Sequence, residues 1–144
     1  MRAGRELDLI IAKEVMGHGI SREKRGTWIE GTPRGTRPLA PYSSDIQAAW
    51  EVAEKVGISL IPISEDGVRK GWFALAGAAG SGRGWKSPAD FIQYLQTADF
   101  ASAGAAVGED APLTICIAAA KQVEKSRAEK TDQSSEDNAQ SQVH

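Results

Sequence analysis

The sequence predicts an α+β domain, with helices packed on an antiparallel or mixed sheet. Three observations predict it. The stretch "YSSDIQAAWEVAEKVG" places apolar residues at helical spacing between capping residues and a glycine. Two runs rich in apolar residues, "ISLIPIS" and "GWFALA", flank the turn signal Asp66-Gly67. A chain of 144 residues that is 41% hydrophobic and 25% charged has the composition of one ordinary globular domain. The expected order is helix, strand, helix, strand, strand, a loop with a small helix, strand, helix and a polar tail.

The first helix is expected from Glu6 to Met16, where Leu7, Ile10, Ile11, Val15 and Met16 recur near helical spacing. Gly17 and Gly19 stop it, because glycine enters the left-handed cap conformation without steric penalty. Ile20 to Pro41 holds three prolines and three glycines and reads as a long basic loop around one short strand, "TWIE". Arg22, Lys24, Arg25, Arg34 and Arg37 there outnumber Glu23 and Glu30. In the second helix Ser44 and Gln47 have the spacing of a capping box, and Asp45 complements the positive end of the dipole. Its stripe is Ile46, Ala49, Trp50, Ala53 and Val56, which assigns Trp50 to the core. Gln47, Glu51, Glu54 and Lys55 take the polar side, and Gly57 closes the helix.

Ile58 to Ser64 reads as a strand that Pro62 confines to an edge or a bulge, since proline cannot donate to a ladder. Gly71 to Ala76 is its hairpin partner. Ser87-Pro88-Ala89-Asp90 then opens a short helix to Thr97, and "DFASAGAAV" is a weak further strand. The last helix starts behind Asp110, with Pro112 in its first turn and Leu113, Cys116, Ile117, Ala120 and Val123 on its apolar face. The domain is expected to span residues 1–125. The polar tail, 126–144, lacks the apolar area that would offset the entropy of ordering it, and disorder is expected there.

Four phrases carry a resemblance: "ELDLIIAKEVMG", "PYSSDIQAAWEVAEKV", "GWFA" and "DAPLTICIAAA". In this order and spacing the chain resembles the phage ABA sandwich domain family, from about Leu7 to Val123. The resemblance implies a layered α/β/α sandwich with a small, mainly antiparallel sheet, about three main helices, and a phage or prophage origin. It implies no activity and no catalytic residues. Residues 77–100 depart from the family pattern as a glycine-rich insertion.

That insertion contains "GAAGSGRGWKSP", which invites comparison with the phosphate-binding loop G-x-x-x-x-G-K-[ST]. With Lys86 and Ser87 aligned, Gly80 falls correctly, but Trp85 occupies the position where the backbone must wrap a phosphate. A looser anion grip by Arg83, Lys86 and the backbone near Ser87 is what remains. Nine of the seventeen basic residues fall in expected loops: Arg22, Lys24, Arg25, Arg34, Arg37, Arg69, Lys70, Arg83 and Lys86. Trp28, Trp72 and Trp85 lie beside them, where aromatic rings can stack on a base or, at strand positions such as Trp28 and Trp72, fill the core. The candidate ligand-binding set is therefore Arg25, Trp28, Arg34, Arg83, Trp85, Lys86 and Ser87.

Several function classes are disfavoured. A net charge of −2 gives no general call for nucleic acid or an anionic membrane. Charged residues interrupt the apolar N-terminal segment, so no signal peptide is expected, and no run reaches the length of a membrane span. The single cysteine, Cys116, reads as a small buried hydrophobe and fits a reducing cytoplasm. With two histidines, His18 among glycines and His144 in the tail, no metal site or cofactor is expected. No acid, base or nucleophile stands out. The expectation is a non-enzymatic phage or prophage protein in the host cytoplasm that binds an anionic small molecule or nucleotide. The alternatives are inhibition of a host protein and weak nucleic-acid binding. Edge strands also allow a homo-oligomer.

Overall fold

The computed structural model describes residues 2–76, 87–97, 105–124 and 127, and its fold is α+β. Helix α1 (Arg5–Ile10) runs on into a π-helical turn (Ile11–Val15). Three strands follow, β1 (Gly19–Arg22), β2 (Trp28–Thr32) and β3 (Gly35–Pro38), then helix α2 (Ile46–Val56). Next come β4 (Ile58–Glu65), β5 (Val68–Ala76), α3 (Pro88–Thr97), β6 (Ala105–Gly108) and helix α4 over residues 111–124. Among the described residues the strands form two antiparallel sheets, ordered β1-β2-β3 and β4-β5-β6, where one sheet was expected.

The segment Ile20 to Pro41 is thus a sheet and not a loop around one strand. Its strands are only four or five residues long, and its prolines sit where they cost no ladder bond. Pro33 lies in the β2–β3 turn, and Pro38 ends the edge strand β3 opposite Ile29. The inward residue of the central strand is charged, so the apolar alternation that announces a strand is missing. Arg22 and Arg37 are consequently strand residues, as are Arg69 and Lys70 in β5.

The β4–β5 hairpin forms as expected, turning at Asp66 and Gly67, both at positive φ (52° and 78°). Pro62 lies in the edge strand β4, which has a register shift between Ile63 and Ser64. Gly57 ends α2 in the left-handed conformation, its N–H bonded to the Ala53 carbonyl. The cap at the other end is Asp45, whose carboxylate accepts from the Gln47 N–H at 2.9 Å, and not Ser44. The buried stripe of α2 is Ala49, Val52, Ala53 and Val56, at offsets 0, 3, 4 and 7. Trp50 is therefore not in the core: it stands one residue, about 100°, round from Ala49 and is 51% exposed.

The main core joins α1 and its π turn (Leu7, Ile11, Ala12) to α2 and to Ile115, Cys116 and Ala119 of α4. A second cluster is made of alanines, Ala74, Ala106 and Ala118, with Leu60 and Ile117 beside them. The approach there is close. A Cβ on Gly71 would come within 2.8 Å of the Gly108 carbonyl oxygen, and one on Gly108 within 2.7 Å of Thr114 Oγ1. Trp28 and Trp72 are half-buried, and each is covered by an arginine of its own sheet, Arg22 at 5.4 Å and Arg69 at 4.6 Å from the ring centre. The glycine stretch 77–86 and the tail beyond residue 127 lie outside the described residues, and no described helix is long and apolar enough to cross a membrane.

Candidate functional site

The site is built around one carboxylate. Glu30 occupies the middle of β2, between Ile20 of β1 and Arg37 of β3 in the ladder register, and is fully buried. A carboxylate taken out of water loses several kcal/mol of solvation unless donors replace it. Four do so here. Oε1 accepts from Arg37 Nε at 3.0 Å and from the Ala40 N–H at 2.9 Å. Oε2 accepts from the Tyr42 hydroxyl at 2.6 Å and pairs with His18 Nδ1 at 2.7 Å.

Each partner arrives by a local feature of the chain. The π turn lets the Met16 N–H reach the Ile11 carbonyl and the His18 N–H reach the Ala12 carbonyl, setting His18 just before β1. Arg37 is the cross-strand neighbour of Glu30. Ala40 and Tyr42 follow in the connection to α2. That connection is fixed again by Ser43, whose N–H and hydroxyl both donate to the buried Asp8 Oδ1, at 2.8 and 2.7 Å. Arg37 Nη2 then reaches out of the core to Tyr42 Oη at 3.0 Å and to Glu51 Oε2 of α2 at 2.9 Å.

The ionisation pattern follows. Burial pushes the Glu30 carboxyl up, but the bonds from His18, Tyr42, Ala40 and Arg37 outweigh it and hold the group below the usual carboxylate range. Arg37 is raised, with the Glu51 bond acting against burial and Tyr42 and Glu30 adding to it. Burial and the Glu30 bond push the Tyr42 phenol up. Cys116 is pushed up to about 12 by burial and by the negative Asp8, so it stays a protonated, buried thiol.

The network forms one wall of an open cleft of about 690 Å³ lined by Met16, His18, Thr32, Pro33, Arg34, Arg37, Glu51, Glu54 and Lys55. A second hollow of about 430 Å³ is lined by Leu9, Lys13, His18, Gly19, Ile20 and Trp28. His18 belongs to both. Among the described residues no group of three or more His, Cys, Asp or Glu could hold a metal ion.

The sequence-derived ligand set divides across this geometry. Arg34 lines the cleft and Trp28 the second hollow. Arg25 is exposed in the β1–β2 turn and lines neither hollow. Ser87 immediately precedes α3, while Arg83, Trp85 and Lys86 lie outside the described residues. Five residues were missed as a set: His18, Glu30, Arg37, Tyr42 and Glu51. The available signal was a glutamate between Ile29 and Gly31 in a strand-like phrase, with an arginine seven residues on.

Among solved structures the chain is similar to a phage protein from Bacillus cereus, known from a crystal structure at 2.0 Å. The TM-score is 0.53 over 86% of this chain and 92% of that one, at 17% identity. The fold resembles a phage protein's. At that identity the likeness concerns the fold alone. No protein-family model matches the chain, and no curated protein does.

Proposed function

We propose that this chain is a non-enzymatic, phage-encoded accessory protein of the ABA sandwich type, which binds an anionic small molecule in the cleft between the β2–β3 turn and α2. The phage assignment is supported by the fold likeness and the sequence phrases together. The binding assignment is carried by one observation: the unequal commitment of the cleft's cations. Arg37 is held by Glu30 and Glu51, whereas the Arg34 and Lys55 side chains make no ion pair with any described residue. Glu30 and Glu51 share the one charge of Arg37, so what sets Arg34 and Lys55 apart is not a surplus of charge but that no described carboxylate holds their side chains. An anion on that side of the cleft would pair with these two uncommitted cations.

The test is thermal unfolding with added sulfate, phosphate monoesters and nucleotides. A ligand at a hundred times its Kd stabilises the folded state by about 2.7 kcal/mol. Arg34→Ala with Lys55→Ala removes that stabilisation and leaves the unliganded transition in place, since both side chains are exposed. A double variant that keeps the full shift, or a protein that responds to none of these anions, refutes the reading. A second reading, inhibition of a host protein, is favoured by the outer face of the β4–β6 sheet, where Ile61, Ile63 and Val107 are exposed. That reading makes no use of Arg34 or Lys55.

A further inference from the structure

One polar atom of the network has no hydrogen-bond partner among the described residues: Nε2 of His18. The His18 side chain is only 9% exposed, and its single hydrogen bond among the described residues is made by Nδ1. No described side-chain nitrogen or oxygen is both buried and unpartnered, so Nε2 reaches open space, and the space beside His18 is that of the two hollows.

The surrounding bonds fix what this atom can do. Arg37 Nε and the Ala40 N–H are donors only, so Glu30 Oε1 carries no proton. Tyr42 Oη accepts from Arg37 Nη2, which turns the phenolic proton toward Glu30 Oε2. Against burial, these donors also hold Glu30 below the usual carboxylate range, so it is ionised, and the 2.7 Å contact with His18 has Nδ1–H donating. In the neutral ring the other nitrogen is then a lone-pair acceptor of fixed direction. The ring that carries it lines both the cleft that holds Arg34 and Lys55 and the hollow walled by Leu9, Ile20 and Trp28.

We infer that His18 Nε2 accepts a hydrogen bond from the ligand, so that the cleft selects an organic anion carrying a hydroxyl or amino donor near its charged group. Sugar phosphates and nucleotides belong to that class; bare anions do not. The inference rests on the cleft being an anion site. It adds the specificity element, and it names His18 as a contact where charge alone would name only Arg34 and Lys55.

The chain has two histidines, which makes the ring directly observable. In protein carrying His144→Gln, nitrogen-15 spectra of the imidazole report His18 alone. The expected free state is the Nδ1–H form, with Nε2 unprotonated. At pH 8 phosphate monoesters are dianions without a proton of their own, so ribose 5-phosphate and methyl phosphate form the diagnostic pair. Ribose 5-phosphate is expected to move the Nε2 resonance and to bind about tenfold or more tightly than methyl phosphate, a difference of about 1.4 kcal/mol. His18→Phe erases the preference while methyl phosphate still binds. Because the tautomer and the Nε2 shift are read on the native ring, the outcome does not hang on whether that variant folds. An Nε2–H ring in the free protein, or equal affinities with an unmoved Nε2, overturns the inference and leaves the anion cleft standing. If neither compound binds, the cleft reading falls and the inference falls with it.

Discussion

In the β1–β3 sheet the fully buried strand residue is Glu30, whereas in the β4–β6 sheet the buried strand residues include Ala74, Leu75, Ala76, Ala105 and Ala106. Both sheets are three-stranded and antiparallel. One is held from within by a carboxylate that ties together β3, the connection to α2 and the residue before β1. The other is held by small side chains that let β5, β6 and α4 approach closely. Directional polar bonds specify one arrangement and leave an open wall with exposed charges. Close alanine packing excludes water and leaves no group free for a ligand. The difference explains why the candidate site lies on the first sheet.

The largest effect should come from breaking the polar centre. Glu30→Gln presents an amide to partners that need an acceptor and leaves Arg37 half-paired. A loss of about 3–5 kcal/mol is expected, because the surviving partners stay buried and uncompensated; urea unfolding would measure it. The same residue sets an acid limit. Glu30 is held below its ordinary range, so its contribution is full above the unfolded value of about 4.3 and is lost as the pH falls through the lower folded value. The parent protein should therefore lose stability on acidification more steeply than E30Q. Tyr42 is displaced upward, so its contribution holds below about pH 10 and is lost as the pH rises beyond it.

A smaller effect is expected on the alanine side. Ala118→Leu inserts three carbons between Ala74 and Ala106, and overpacking of this kind costs about 1–3 kcal/mol. The loss should be nearly independent of pH from 4 to 9, roughly the span bounded by the ordinary Glu and Tyr values, unlike that of E30Q. A common pH dependence would show that the two sheets do not differ as described. Smallest of all should be Trp50→Ala. With that side chain half exposed, a change within about 0.5 kcal/mol is expected, against about 3–5 kcal/mol for a core tryptophan.

Where the pattern was apolar, the sequence was legible. The β4–β5 hairpin, its Asp66-Gly67 turn, the edge position of Pro62 and the span of α3 could all be read from alternation and turn chemistry. The exposure of Trp50 could not, because Ala49, Ala53 and Val56 belong to two overlapping stripes. Only the neighbouring helices decide between Trp50 and Val52 as the inward member. The first sheet was the least legible part. A strand whose inward residue is charged inverts the usual signal, and Glu30 counts as a solvent-facing acid until its partners are known. Those partners lie seven to twelve residues away in either direction, so no local window contains the set. Arg34 was found among the candidates because cations in turns are conspicuous; Arg37, three residues on, was counted in the same loop.

The π turn after α1 gives the length of that segment a meaning apart from its composition. Between Ile11 and Gly17 the backbone accommodates one residue more than an α-helical turn would hold, and the surplus determines the angle at which His18 leaves the helix. Each residue of helix turns the chain by about 100°. Removing one from this stretch would swing the imidazole away from Glu30 even if every remaining side chain were kept. Substitutions at the outward positions, such as Lys13, would leave that angle alone. What this stretch encodes is therefore a number of residues as much as an order of them.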